Sequence, residues 1–355
     1  MIELAEVLAR HWPAYEAKFG ARILPSHRET VEAIVRCRTA ALGGQLYGCG
    51  QCGQFHYAYH SCGHRACPRC GHDDATAWIE RQKTRLLPGV PYFLVTFTVP
   101  EELRPILRSH QNELYKVLFR ESAATLQDVA ANPKQLGAQL GMLGVLHTWG
   151  RQLQYHPHVH YVVAGGGLSE DGLQWKRVKS TEYLLTEPVL SARFRTRLKA
   201  ALRERPAWWA QAPPAAWRKD WVVDCIAVGS GESALKYLAA YVYKTALGRQ
   251  RILRDEGGRI TFSYRESETG ATKAMTVEAQ EFLRRFLQHV LPGGFQRVRY
   301  FGWLAPAAKA RRERIEALLD WKRPEPPATK PVPPPRCPQC RQPMVRMAEL
   351  PRAPP

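Results

Sequence analysis

The chain has 355 residues, enough for two or three compact units of about 100 to 200 residues each. With 45% hydrophobic and 23% charged residues it is not a disordered chain, and the absence of any run of about 18 apolar residues or a basic amphipathic anchor argues against a membrane protein. Lys and Arg total 51 against 32 Asp and Glu, and the net charge of +19 calls for a polyanionic partner, nucleic acid before any other.

The N-terminus MIELAEVLARHWPAYEAKFG has no positive leader and no continuous apolar stretch, so cytoplasmic residence is expected. Residues 1 to about 36 read as helical, with Ile2, Leu4, Val7, Leu8 and Trp12 spaced as one face. A cysteine-rich stretch follows. In a reducing compartment its CxxC pairs read as metal ligands rather than disulfides. Cys49 with Cys52 and Cys67 with Cys70 can close a tetrahedral thiolate shell around Zn2+, and Cys62, His60, His64, His72 or Cys37 could replace one of the four. Such a closed shell is structural, and the surface around it would carry the function: Arg65 and Arg69, among His64, His72 and Tyr57, suit phosphate contact with base stacking. A solvated charged face would look the same.

Residues 75–87 read as a helix ended by Pro88 and Gly89, and YFLVTFTV from Tyr92 as a strand. A helical stretch from Glu101 to about Ala131 comes next, then strands near 143–149, 158–164 and 221–228, and a helix from about Glu232 to Ala246. Residues 251–265 read as a hairpin turning at Asp255 to Gly258, followed by an amphipathic helix over TVEAQEFLRRFLQHVL. Strands and helices mix without strict alternation, so the fold class is α+β. The expected division is a helical and zinc-binding unit at 1–88, a central unit at 89–310 and a basic, proline-rich tail at 311–355. That tail carries one more pair, Cys337 and Cys340, which is half a site: it joins a second zinc with unassigned ligands, or it is idle.

His156, His158 and His160 alternate along a strand, so their imidazoles share one face about 6 to 7 Å apart and neighbours can grip one metal ion. Pro157 puts His156 at the strand's start or edge and favours His158 and His160 as the pair. A third ligand is then needed, from His147, Gln154 or His156. Tyr237 and Tyr241 stack four apart on one helix face, with Lys244 returning to it. A phenol with a pKa of about 10 needs a nearby Lys and a metal-polarised phosphate to attack at neutral pH. An aromatic packing stripe has the same spacing. In RVRYFGW, Arg297 and Arg299 share a strand face with Phe301 while Tyr300 points the other way, and Lys309, Arg311, Arg312 and Arg314 follow on a helix; phosphate contact is the functional reading.

Together CGQC with SCGHRACPRCG, LVTFTVP, HPHVHYVVAGGGL, YLAAYVYKTAL and RVRYFGWLA resemble the HUH superfamily of single-strand nucleases, and among them the two-tyrosine rolling-circle transposases of the insertion-sequence ninety-one type. The resemblance implies a small antiparallel sheet with the histidines on a central strand, a catalytic Mg2+ or Mn2+ on His158 and His160, and nucleophile roles for Tyr237 and Tyr241. It implies a DNA strand transferase acting through a 5′-phosphotyrosine on single-stranded DNA at element ends and target, located with the nucleoid. Competing expectations are a plasmid or phage replication initiator or relaxase with the same core, a non-catalytic zinc-dependent DNA-binding protein, and hydrolysis with water as nucleophile.

Overall fold

The computed structural model describes residues 2–243, 246–248, 250–266, 269–325 and 333–353, with the side chains of all of these except 71–75 and 240–243. In chain order, helices α1 (Leu4–Phe19) and α2 (Pro25–Arg36) precede strands β1 (Gly44–Gly48) and β2 (Phe55–Tyr59), helix α3 (Gly71–Lys83) and strand β3 (Tyr92–Thr98). Helices α4 (Arg104–Ser109) and α5 (Gln111–Ala131) lead to strands β4 (Gly141–Trp149), β5 (Tyr155–Ala164), β6 (Gly166–Leu168) and β7 (Trp175–Arg177). Then come helices α6 (Glu187–Arg203) and α7 (Pro206–Trp209), strand β8 (Val223–Ala227) and helix α8 (Glu232–Tyr243). Strands β9 (Ile252–Glu256), β10 (Arg259–Arg265) and β11 (Thr272–Glu278), helix α9 (Ala279–Leu287), strand β12 (Val298–Gly302), helix α10 (Lys309–Leu318) and strand β13 (Val345–Leu350) complete the chain. The class is α+β, as expected.

The chain forms two compact units, each assembled from separate stretches of sequence: Met1–Asp74, Tyr243–Val290 and Pro327–Pro355 make one, Ala75–Val242 and Leu291–Pro326 the other. The tail expected at 311–355 is therefore divided, its first part to Pro326 grouping with the second unit and the rest with the N-terminal unit.

The second unit is built on a five-stranded antiparallel sheet in the order β12-β4-β5-β3-β8, with β5 at its centre. The period of two along β5 sends Val159, Tyr161 and Val163 to one face, where they join Phe97, Leu146, and Phe119 and Leu126 of α5 in the core. Helix α6, which the sequence reading did not single out, adds Leu190, Phe194 and Leu198; the Phe194 ring meets Phe97 at 4.9 Å. Tyr161 is fully buried and its hydroxyl lies 2.7 Å from Ser122 Oγ, so its polar end is satisfied inside the core. Gly144 makes room for that ring: a Cβ there would lie 2.6 Å from it. The opposite face of the sheet carries His147, His158, His160 and Thr96.

In the first unit, β9 and β10 turn through Gly257 and Gly258, whose φ values of 58° and 74° suit a two-residue hairpin loop. The helix expected from Thr276 begins only at Ala279, because Thr272–Glu278 pairs along the whole of β10, with Thr276 Oγ1 2.8 Å from Thr261 Oγ1. Phe282 of α9 packs on Phe262, and Arg10 and His11 of α1 both bind the buried Asp255 carboxylate at 2.7 Å. No helix among the described residues is long and apolar enough to cross a membrane.

Candidate metal and tyrosine centre

His147, His158 and His160 bring one ring nitrogen each within 4.8 Å of one another. His158 and His160 alternate with core residues on β5, and His147 lies directly opposite His158 in the β4–β5 ladder. His147 Nδ1 stands 3.2 Å from His158 Nε2, close to the separation of about 3.0 to 3.4 Å set by two metal–nitrogen bonds of about 2.1 Å. On His158 and His160 the other nitrogen is taken up by a neighbour. His158 Nδ1 donates to the His156 carbonyl at 2.6 Å, and His160 Nδ1 pairs with Thr96 Oγ1 at 2.7 Å, so both rings turn Nε2 to the shared point. Burial is the main reason that His147 and His158 are held well below the ordinary imidazole pKa and His160 is lowered to about 4. The rings are therefore neutral at pH 7, the form that ligates metal.

His156 does not join this group. Its ring lies beside that of His158, with centroids 5.1 Å apart, but its nitrogens fall outside the converging group, and the ladder is irregular between His147 and Trp149 at this end of β5. The third imidazole comes instead from the neighbouring strand.

Helix α8 places Tyr237 against this row, its ring perpendicular to His160 with centroids 5.8 Å apart and 41% of its surface exposed. Ala234, Leu235, Leu238 and Ala239 bury the opposite side of the helix. The start of α8 is pinned to β3: Tyr92 N–H donates to the Gly229 carbonyl at 2.7 Å and Val228 N–H to the Tyr92 carbonyl at 2.8 Å. Gly231 adopts φ 85°, and a Cβ there would meet the Tyr92 ring at 2.8 Å. Gly231→Ala is accordingly expected to shift α8 and to destabilise the protein by about 1 to 2 kcal/mol, read as a lower denaturant midpoint. Tyr241 lies one turn further along α8, with its side chain outside the described atoms, and Lys244 lies outside the described residues.

Eight of the nine cysteines sort into two groups of four, and Cys49 and Cys52 are not grouped with Cys67 and Cys70 as expected. Cys37, Cys62, Cys67 and Cys70 converge within 4.8 Å, and so do Cys49, Cys52, Cys337 and Cys340. Cys49 and Cys52 cannot share a shell with Cys67 and Cys70, because they sit at the turn end of the β1–β2 hairpin. Each strand has five residues, about 15 Å, and Cys37 and Cys62 stand at the other end. In the first group Cys70 Sγ lies 3.5 Å from both Cys37 and Cys62 Sγ, near the edge of about 3.8 Å for a tetrahedron with bonds of about 2.3 Å.

Most of the arginines expected at phosphates are engaged by the protein. Arg69 forms an ion pair with Glu3 and donates to the Cys37 carbonyl at 2.7 Å, bracing the cysteine group. Arg297 is only 8% exposed and lies over Trp149, which stacks on His147. Arg299 is half-buried over the Phe119 and Phe295 rings, and Arg312 donates to the Trp303 and Ala305 carbonyls. These guanidiniums found flat aromatic faces or carbonyls, which spacing alone could not reveal. Arg65 is half-buried, while Lys309 and Arg311 are exposed on α10. Arg104, which the sequence reading passed over, opens α4 beside the histidines; its charge adds to burial in lowering His156 and His158, and its buried Nε has no hydrogen-bond partner among the described residues.

Residues 141–313, which hold the three histidines and both tyrosines, match the family described as "Putative transposase", and residues 7–99 match a "Transposase zinc-binding domain" of IS91 type. The chain is 39% identical over 322 residues, 85% of its length and 80% of the relative's, to a protein of Sinorhizobium fredii named "Putative transposase y4qJ". It is 32% identical over 294 residues, 78% of its length and 70% of the relative's, to the transposase for insertion sequence element IS801 of Pseudomonas savastanoi pv. phaseolicola. No solved structure matches it. With a zinc-binding domain and a transposase domain in this order, and relatives covered over most of their length, the chain belongs to the IS91-type family of transposases.

Proposed function

We propose that this transposase cuts and rejoins single-stranded DNA by tyrosine transesterification, with Tyr237 and Tyr241 as nucleophiles, and so drives rolling-circle transposition. The observation that carries this reading is the Tyr237 ring beside three converging imidazoles. Three nitrogen donors suit a divalent ion that keeps open positions for phosphate oxygens, and of Mg2+ and Mn2+ they favour Mn2+, since Mg2+ prefers oxygen ligands. Bound there, the ion would supply Lewis-acid polarisation of a phosphate oxygen.

Tyr237 is the described phenol within reach. Its oxygen forms a bond to phosphorus as the bond from phosphorus to the 3′ oxygen breaks; the phenolic proton leaves to solvent and the departing oxygen takes one up, giving a 3′-OH and a 5′-phosphotyrosine. The phosphoester energy is retained in the protein–DNA bond, so another 3′-OH can reverse the step and join strands without ATP. The second tyrosine permits a second cut before the first is resolved. Arg104, whose charge is felt at His156 and His158 and whose buried Nε has no hydrogen-bond partner among the described residues, suits the phosphate's remaining charge. Arg104→Gln is expected to slow cleavage about 10²-fold in single-turnover assays without changing the product formed.

The test is incubation of the purified protein with Mn2+ or Mg2+ and labelled single strands spanning both flanks of its own reading frame. A shifted, protease-sensitive band on a denaturing gel, prevented by chelator, is expected. Cleavage without that band would mean that water is the nucleophile, and binding with neither would favour a non-catalytic DNA-binding role.

A further inference from the structure

We propose that Cys49, Cys52, Cys337 and Cys340 hold a second structural zinc ion, which staples the C-terminal tail to the N-terminal unit. The zinc-binding family match ends at residue 99, so half of this site lies outside it. Cys49 Sγ stands 3.4 Å from Cys340 Sγ and Cys52 Sγ 3.5 Å from Cys337 Sγ, across sequence separations of 291 and 285 residues. These distances are far longer than a disulfide bond of about 2.05 Å and close to those in a tetrahedral thiolate shell.

The two halves are built alike. Both read C-x-Q-C-x-Q, as CGQCGQ from Cys49 and CPQCRQ from Cys337. In the first, Gly53 N–H donates to the Cys49 carbonyl at 3.0 Å and Cys49 N–H to the Gln54 carbonyl at 2.9 Å; in the second, Arg341 N–H donates to the Cys337 carbonyl at 2.9 Å and Cys337 N–H to the Gln342 carbonyl at 2.8 Å. Gly53 and Arg341 occupy the same left-handed position, with φ 71° and 61°. Arginine is unfavourable there, so the geometry is imposed by what surrounds it. Each loop thus turns two sulfurs toward one point, and the loops face each other.

Directly beyond the cysteines, β13 pairs with β1 in antiparallel register, Val345 opposite Gly48 and Leu350 opposite Gly44. Little apolar burial supports this junction: Cys49, Cys337 and Met344 form its buried cluster, with Tyr47 and Cys340 against them. Four thiolates would close the shell with no position left for substrate, so the ion's role is to hold the tail strand on the sheet.

The test measures tightly bound zinc per full-length chain by elemental analysis, in a His147→Ala/His158→Ala background that removes the histidine site. Cys337→Ser/Cys340→Ser is expected to lose one ion, Cys49→Ser/Cys52→Ser the same ion, and the fourfold variant no more than either pair. Cys67→Ser/Cys70→Ser should lose a different one. Unchanged zinc in the tail variant would overturn the proposal, as would Cys49/Cys52 and Cys67/Cys70 proving to share an ion. Should the serine variants not fold, Cys340→His keeps four ligands: the cobalt-substituted protein should retain its full metal content with weaker thiolate-to-cobalt absorption, and an unchanged spectrum would refute the site.

Discussion

Replacing Tyr237 and Tyr241 together by Phe is expected to abolish covalent capture of DNA, with strand cleavage falling by about 10⁴-fold or more. The change deletes only the phenolic oxygens. Tyr237 has 41% of its surface exposed, and its ring meets His160 edge to face, a contact that Phe retains. Folding should therefore hold, and DNA affinity should change little, since most of it comes from cationic contacts to phosphates. Each single variant should keep one cleavage event and lose strand transfer. The gel assay for the protein–DNA adduct, run beside a binding titration at fixed salt, checks this, and an adduct formed by the double variant would remove both residues from the nucleophile role.

A second large effect separates the histidines. His147→Ala is expected to weaken metal binding by about 10²-fold and to stop cleavage at low Mn2+, because it removes one of three converging nitrogens, whereas His156→Ala should leave metal affinity within a few-fold. His147 is fully buried among β-sheet neighbours and packs on Trp149, so its alanine variant also leaves a cavity. Rescue of cleavage by high Mn2+ would distinguish a lost ligand from a lost fold. Isothermal titration with Mn2+ reads the affinity directly. Equal losses in the two variants would undo the assignment of His147.

Local periodicity carried much of this molecule. Alternation along HPHVHYVVA put His158 and His160 on the face opposite Val159 and Tyr161, the four-residue spacing put Tyr237 and Tyr241 on consecutive turns of one helix, and the parity of RVRYF sent Arg299 and Phe301 to one face and Tyr300 to the other, where Arg85 lies over its ring. These follow from repeats of 2 and 3.6 residues that any strand or helix obeys.

The sequence by itself also determined the family, the α+β class and the presence of thiolate metal sites, because short motifs and turn chemistry are written in contiguous residues. Tertiary structure alone decided which partners meet. His147 reaches His158 through the register of two strands, Arg297 and Arg299 end on aromatic faces supplied by distant segments, and Cys49 finds Cys340 rather than Cys67. The shared C-x-Q-C-x-Q pattern was the one sign of that last pairing. Spacing constrains neighbours a few residues apart, but the meeting of residues 291 apart depends on how a five-residue hairpin separates its two ends and where the returning strand docks.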